Sequence, residues 1–261
     1  MEPTNKRGYF TRSKVALEFK AAGVLPFCIL PSGEALALLG AETSRTGPNG
    51  RMRKTMWKDF GGSREAIDSD VQDTASREFA EETLGMFASQ NVDSASVAAS
   101  QVLMAAQLRD QRHSLEVVHK LKKGQYSMFI ALLPFLDPLM FYLAMRQNAE
   151  TQAVTGAEKT AFAWVRLDQL LAATARCASA YFLKSSLSVS GTVDGRRPVS
   201  HGGRRLMLHP CFASSLRLAQ GAGLRKLVAA ARKSVQALQQ PAPRLLPLAA
   251  QPPADQRQAR C

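Results

Sequence analysis

The chain has 261 residues, 46% hydrophobic and 21% charged, with 34 Lys and Arg against 21 Asp and Glu for a formal charge of +13. That balance excludes a collagen-like chain, a coiled coil and wholesale disorder, and the length allows one domain with appendages. The positive excess favours anionic partners: nucleotides, nucleic acid or an acidic membrane surface.

In chain order, residues 1–17 (MEPTNKRGYFTRSKVAL) read as a flexible basic segment with no uninterrupted apolar run, which argues against a secretory signal. Cys28, Cys177, Cys211 and Cys261 are widely spaced and make no C-x-x-C pair, so neither a zinc site nor a disulfide framework is expected, and the simplest address is a reducing intracellular one, the cytoplasm. GVLPFCIL, the turn Pro31-Ser32-Gly33 and ALALLGAE predict a β-hairpin that opens a core sheet near residue 20. TSRTGPNGRMRKTM follows as a loop with positive charges at Arg45, Arg51, Arg53 and Lys54, suited to steering a polyphosphate or simply solvated.

The next stretch, DFGGSREAIDSDVQDTASREFAEETLGM from Asp59 to Met86, concentrates carboxylates in a basic protein. Ser69 with Gln72 three residues on fits a capping box, predicting a helix from about Asp70 to Leu84 with Gly85 as terminator. On it, Val71, Ala75 and Phe79 form an inward stripe, while Glu78, Glu81 and Glu82 crowd an outer edge at i,i+3 and i,i+4 spacing. Such like-charge pairs cost a helix roughly 0.2–0.5 kcal/mol each, so a compensating cation is expected. Clustered carboxylate oxygens suit Mg²⁺ or Mn²⁺ holding substrate phosphates, with Arg77 available to pair with one of the carboxylates.

After Met86 a polar, alanine-rich stretch leads to QYSMFIALLPF, a central strand. The apolar run Met128–Met145 is interrupted by Pro134, Asp137 and Pro138 and reads as strand, turn and helix start rather than a membrane span. EKTAFAWVRLDQLLAAT predicts a strand at Ala161–Val165 and a helix from Leu167 or Asp168. GTVDGRRPVSHGGRR is a basic loop, LMLHPCFASSLRLA the last packed segment, and GLRKLVAAARKSVQALQQ a helix with Leu224, Leu227, Val228, Ala231, Val235 and Leu238 on one face. The proline-rich end is read as disordered. His113, His119, His201 and His209 have no ligand spacing. Strands alternating with helices indicate an α/β domain.

The carboxylate stretch resembles a Nudix box, G-x5-E-x7-R-E-U-x-E-E-x-G-U with U a bulky aliphatic residue: Gly62, Arg77, Glu78, Phe79, Glu81, Glu82, Gly85 and Met86 fill its positions. Trp57 before Gly61-Gly62, and Glu158 with Trp164-Val165-Arg166-Leu167, also resemble that family. Two departures stand out. Asp68 replaces the first glutamate, with eight residues before Arg77 instead of seven, and Leu84 is inserted before Gly85.

The resemblance implies an α/β/α sandwich on a mixed sheet over residues 18–215, with the basic helix and tail of 216–261 appended. It implies an enzyme hydrolysing a phosphoanhydride in a nucleoside diphosphate-linked substrate with Mg²⁺ or Mn²⁺. By the same resemblance Glu78, Glu81, Glu82 and the Gly62 carbonyl would hold metal, Glu78 or Glu82 would serve as base, and Arg77 would orient Glu78. Glu65, Asp68 and Asp70 either support these groups or are solvated loop and cap residues. Arg53, Lys54 and Trp57 are candidates for contacting substrate, although core packing competes for Trp57 as for Trp164. An RNA-decapping enzyme, with RNA held on the basic loops and tail, and a non-catalytic nucleotide-binding module are the rival readings.

Overall fold

In a computed structural model, the described residues are 19–44, 54–154, 156–175, 182–184, 187–190, 199–200 and 205–239. The N-terminal segment 1–17, the loop containing Arg45, Arg51 and Arg53, most of the Gly191–Arg205 loop and the proline-rich end lie outside them.

The predicted hairpin is present: β1 (Phe19–Ile29) pairs antiparallel with β2 (Ala35–Ser44), with Phe27 opposite Ala37. Both strands are shared between neighbours. The first half of β1 pairs with β4 (Phe60–Ser63), and the second half of β2 pairs with β3 (Lys54–Lys58). On its other edge β1 runs parallel to β6 (Gly124–Leu132), which pairs antiparallel with β5 (Ser114–Leu121). β2 is flanked by β7 (Ala161–Arg166), then β9 (Leu187–Ser190) and β10 (Val199–Ser200). A separate pair joins β8 (Phe182–Lys184) to β11 (Arg205–Met207). The sheet is therefore mixed, as the resemblance implies.

Period-two alternation divides the central strands between two apolar layers, which is why they read as continuous apolar runs. Val24, Cys28, Leu36, Leu38, Phe129, Phe162 and Trp164 face α1 (Val71–Glu82), α2 (Ser94–Arg109) and α3 (Pro138–Thr151). Leu25, Phe27, Ala37, Leu39, Met128, Ile130 and Val165 face α4 (Leu167–Ala175), α5 (Pro210–Gly221) and α6 (Leu224–Gln239). The result is an α/β/α sandwich. On the first layer the Phe60 ring meets Phe79 edge-on and stacks on Phe162, fastening α1 over β4.

Position 215/216 falls inside α5, and Leu224, Val228 and Ala231 of α6 lie in the same apolar cluster as Phe212 and Leu216. Of the face predicted for α6, these three residues are thus buried in the sheet's second layer with Leu227 and Val235 packed against it, and Arg232 Nε donates to the Gly33 carbonyl at 3.0 Å. Asp137 caps α3 by accepting from Leu139 N, with Pro138 at its first turn, so the breakers in the apolar run start a helix. Among the described residues no helix is long and apolar enough to cross a membrane.

Two elements carried little signal in the sequence. Helix α2 buries Ser96, Ser100, Met104 and Leu108, a stripe at four-residue spacing whose first half is serine. Its packing is set by closeness rather than hydrophobicity, so no apolar stripe marks it. β5 sits at the sheet edge and exposes Glu116 and Val118.

The start of α1 differs by one residue from the sequence expectation. Asp70, not Ser69, is the N-cap, accepting from Asp73 N at 2.8 Å, while Asp73 reaches back to the Ser69 backbone N–H and hydroxyl. Asp73 thus takes the reciprocal role assigned to Gln72, because the one-residue shift of the helix start makes Asp73 the third helical residue. Asp70→Ala is expected to cost about 1 kcal/mol, seen as a lower urea midpoint at unchanged slope.

Candidate active site

The site is assembled from β4, the turn that follows it, α1, the paired strands β2 and β3, and the segment before β7. α1 ends at Glu82, and the chain then passes through two left-handed residues, Leu84 (φ 58°) and Gly85 (φ 71°). The inserted Leu84 makes a wider exit turn, in which Gly85 N donates to Ala80 O at 2.9 Å, and its side chain is buried. A Cβ at Gly85 would come within 2.7 Å of the Ser96 backbone, so glycine there meets both the positive φ and the close approach of α2. The insertion is absorbed outside the helical glutamates, whose spacing is undisturbed.

Arg77 is the hub of one half of the site. Its Nε and Nη2 each donate to Asp68 at 3.0 Å, and Nη2 also donates to Ser63 O. Nη1 lies 3.1 Å from Glu78 Oε1, 3.2 Å from Glu81 Oε2 and 3.5 Å from Glu65 Oε1. Asp68 is buried, and also accepts from Glu65 N–H and the Thr74 hydroxyl, each at 2.9 Å. Asp68 therefore fixes Arg77, which holds Glu78 and Glu81. The side chain one methylene shorter than glutamate is matched by one extra residue between it and Arg77. Gly62 lies directly against Glu78, where a Cβ would fall 2.5 Å from the carboxylate.

Glu82 belongs to the other half. It does not sit on the outer edge with Glu78 and Glu81: it is only 3% exposed, because the i+4 position faces the sheet where α1 crosses β4. Its Oε2 accepts from Gly61 N at 2.8 Å and its Oε1 lies 2.8 Å from Lys159 Nζ. Lys159 Nζ is also 3.6 Å from Glu42 Oε2, which pairs with Lys58 Nζ at 2.6 Å. Among the described residues, Glu42, Glu82 and Glu158 form a group of three carboxylates that each bring an oxygen within 4.8 Å of the others. The structure thus joins Glu82 to Glu42 and Glu158, and places Glu78 and Glu81 around Arg77.

Burial raises the affinity of all three helical glutamates for protons. For Glu78 and Glu81 it outweighs the opposing Arg77 charge. Glu82 is pushed up to about 7, burial overcoming the lowering effect of Lys159 and Lys58. Glu42 goes the other way: burial would raise it, but Lys58 and Lys159 hold it below its ordinary value.

Neither tryptophan offers a face to a base. Trp57 is 5% exposed within the second apolar layer, and Trp164 is fully buried with its indole N–H on Leu136 O at 2.8 Å. Arg53 is outside the described residues, and Lys54 begins β3. Asp59 is buried beneath the site, hydrogen-bonded to the Tyr126 hydroxyl.

Scans against protein-family models and curated proteins return no match. Among solved structures, the chain is similar to the Nudix hydrolase RenU of M. smegmatis, at 18% identity over 81% of this chain and 86% of that one, TM-score 0.34. It is also similar to a C. elegans Ap4A hydrolase (16% identity, 62% and 88% covered, TM-score 0.32) and to the Nudix domain of Shewanella oneidensis NrtR, a complex with ADP ribose (15%, 59% and 77%, TM-score 0.30). The sandwich has the α/β/α layering on a mixed sheet that the sequence resemblance implies.

Glu42, Lys58 and Lys159 were not singled out in the sequence. Lys58 stands two residues before Phe60 in β3 and meets Glu42 only because Gly40 pairs with Lys58 in the β2/β3 register. Lys159 follows Glu158 and reaches the site because Thr160 N bonds to Ala41 O, drawing that segment onto β2. A charged pair next to a predicted buried strand is the one local sign.

Proposed function

We propose that the protein is a divalent-metal-dependent hydrolase of a phosphoanhydride bond in a nucleoside diphosphate-linked substrate. The observation that supports this most is the divided cradle itself: Asp68 and Gly62 fix Arg77 and Glu78 at one end, while Glu82 is buried with a raised proton affinity at the other. The donor set is carboxylate and carbonyl oxygen only, which suits hard ions such as Mg²⁺ or Mn²⁺. Glu78, Glu81, Glu82 and the Gly62 carbonyl would hold the metal. A bound ion would neutralise the phosphates and lower the pKa of attacking water.

The chain's own groups supply the rest. Arg77 keeps the Glu78 and Glu81 carboxylates turned toward one another. Glu82, whose proton affinity lies near neutrality, would accept a proton from water at its carboxylate, which the Gly61 N–H and the Lys159 ammonium hold as the anion until that proton arrives. An exposed basic surface on α6, with Arg225, Lys226 and Lys233, and the exposed Lys122 and Lys123 at the β5/β6 turn favour capped RNA as the second substrate class.

The test is a panel of sugar nucleotides, dinucleoside polyphosphates, dinucleotide cofactors, nucleoside triphosphates and capped RNA, with Mg²⁺ or Mn²⁺ and with EDTA. Cleavage of at least one of these is expected with metal and is abolished by EDTA. No cleavage anywhere on the panel would leave a nucleotide-binding module as the better reading. Capped RNA as the sole substrate, with steep salt dependence, would select decapping.

A further inference from the structure

Lys159 is an unusual neighbour for a metal cradle. Its side chain is 0% exposed, and Nζ points between Glu82 and Glu42 at 2.8 and 3.6 Å. Both contacts are ion pairs off the hydrogen-bond direction, so that Nζ completes no directed hydrogen bond among the described residues. A buried ammonium is retained only where opposite charge compensates it. The stem is accommodated by Gly40 in β2, where a Cβ would come within 2.7 Å of the Lys159 chain. The ammonium therefore has a built path into the group formed by Glu42, Glu82 and Glu158.

Oxygens gathered within 4.8 Å suit one small cation. A divalent ion seated among them would face the Lys159 ammonium at short range in a poorly solvated site, and like charges there repel strongly. We propose that the Lys159 ammonium is a built-in cation occupying the position between Glu42, Glu82 and Glu158, so that this chain loads one divalent ion fewer than its carboxylates would otherwise take. The inference rests on the divalent-metal reading above. It assigns the inner end of the cradle to a fixed charge and leaves Glu78 and Glu81 as the principal exchangeable end, with Glu82 facing both. Lys58, paired with Glu42 at 2.6 Å, completes the neutralisation on the strand side.

The measurement is the number of Mn²⁺ ions bound per chain, by calorimetry and by electron paramagnetic resonance of free Mn²⁺, with the full-length protein and no substrate. Lys159→Met is expected to bind one more Mn²⁺ than the parent, and Lys159→Arg the parent number. Adding Glu158→Gln to Lys159→Met should weaken the extra site at least tenfold. Glu158→Gln alone, at an exposed position, should leave the parent number unchanged. Loss of one Mn²⁺ in that single variant would mean that a divalent ion already sits there, and would overturn the proposal even if Lys159→Met fails to fold. A folded Lys159→Met with the parent number would overturn it too. In both cases the parent still binds Mn²⁺ and hydrolyses its substrate, whereas a parent that does neither removes the metal reading itself.

Discussion

Glu82→Gln is expected to lower kcat by roughly 10²–10⁴-fold, the range for losing a positioned base, with Mg²⁺ or Mn²⁺ saturating. The substitution keeps the shape of the side chain but not its function. One amide oxygen replaces two carboxylate oxygens, so it can accept from Gly61 N–H or face Lys159, but not both. Far-ultraviolet circular dichroism should remain that of the parent, and steady-state kinetics on the substrate found in the panel is the readout. A variant that cleaves as fast as the parent would remove Glu82 from the mechanism and shift the base to Glu78.

The same residue sets a pH dependence. Folded, metal-free protein holds the Glu82 proton up to about pH 7, whereas the unfolded chain releases it near its ordinary value of 4.5. Between those values the folded state binds more protons, so on this group stability falls as pH rises through the window and is flat above it. Glu42, held below its ordinary value, acts in the opposite sense and loses its contribution as pH falls. A divalent ion needs the carboxylate deprotonated, so parent Mn²⁺ affinity is expected to rise toward pH 7 and level off, and Glu82→Gln to flatten that rise.

What the sequence disclosed about this site follows from which interactions are local. Arg77, Glu78, Glu81 and Glu82 lie within two turns of one helix, so their spacing alone places them on α1. The hairpin of β1 and β2 and the breakers Asp137 and Pro138 are equally local. The partition of the glutamates is not. Whether Glu82 faces water or the sheet depends on how α1 crosses β4, and its partners Glu42 and Lys159 lie 40 residues before it and 77 after it. Trp57 shows the same limit, since a tryptophan beside a glycine pair suits stacking or burial until the second sheet layer is known. Helix α2 was illegible because serines form half of its buried stripe.

Asp68→Ala is expected to destabilise the fold by about 3–5 kcal/mol, the usual cost of removing one partner from a buried ion pair. Arg77 is 5% exposed and would keep Ser63 O on Nη2, but Nε and the Glu65 N–H would lose their acceptor, and the Thr74 hydroxyl would keep only the Asp70 carbonyl at 3.5 Å. The loss should carry into the site, because Nη1 is aimed at Glu78 and Glu81 only while Asp68 grips the other edge of the guanidinium. Asp68→Asn, which keeps one acceptor, should cost less. The effect has a pH signature: burial would raise the Asp68 carboxyl, but the Arg77, Glu65 and Thr74 hydrogen bonds hold it below its ordinary value. Its contribution is then full above the unfolded value and disappears as pH falls through the folded one. Urea unfolding of parent, Asp68→Ala, Arg77→Ala and the double variant at neutral and acid pH measures the coupling directly. If the two single losses simply add, Asp68 is a solvated turn residue, and the eight-residue spacing to Arg77 is not a compensation for its shorter side chain.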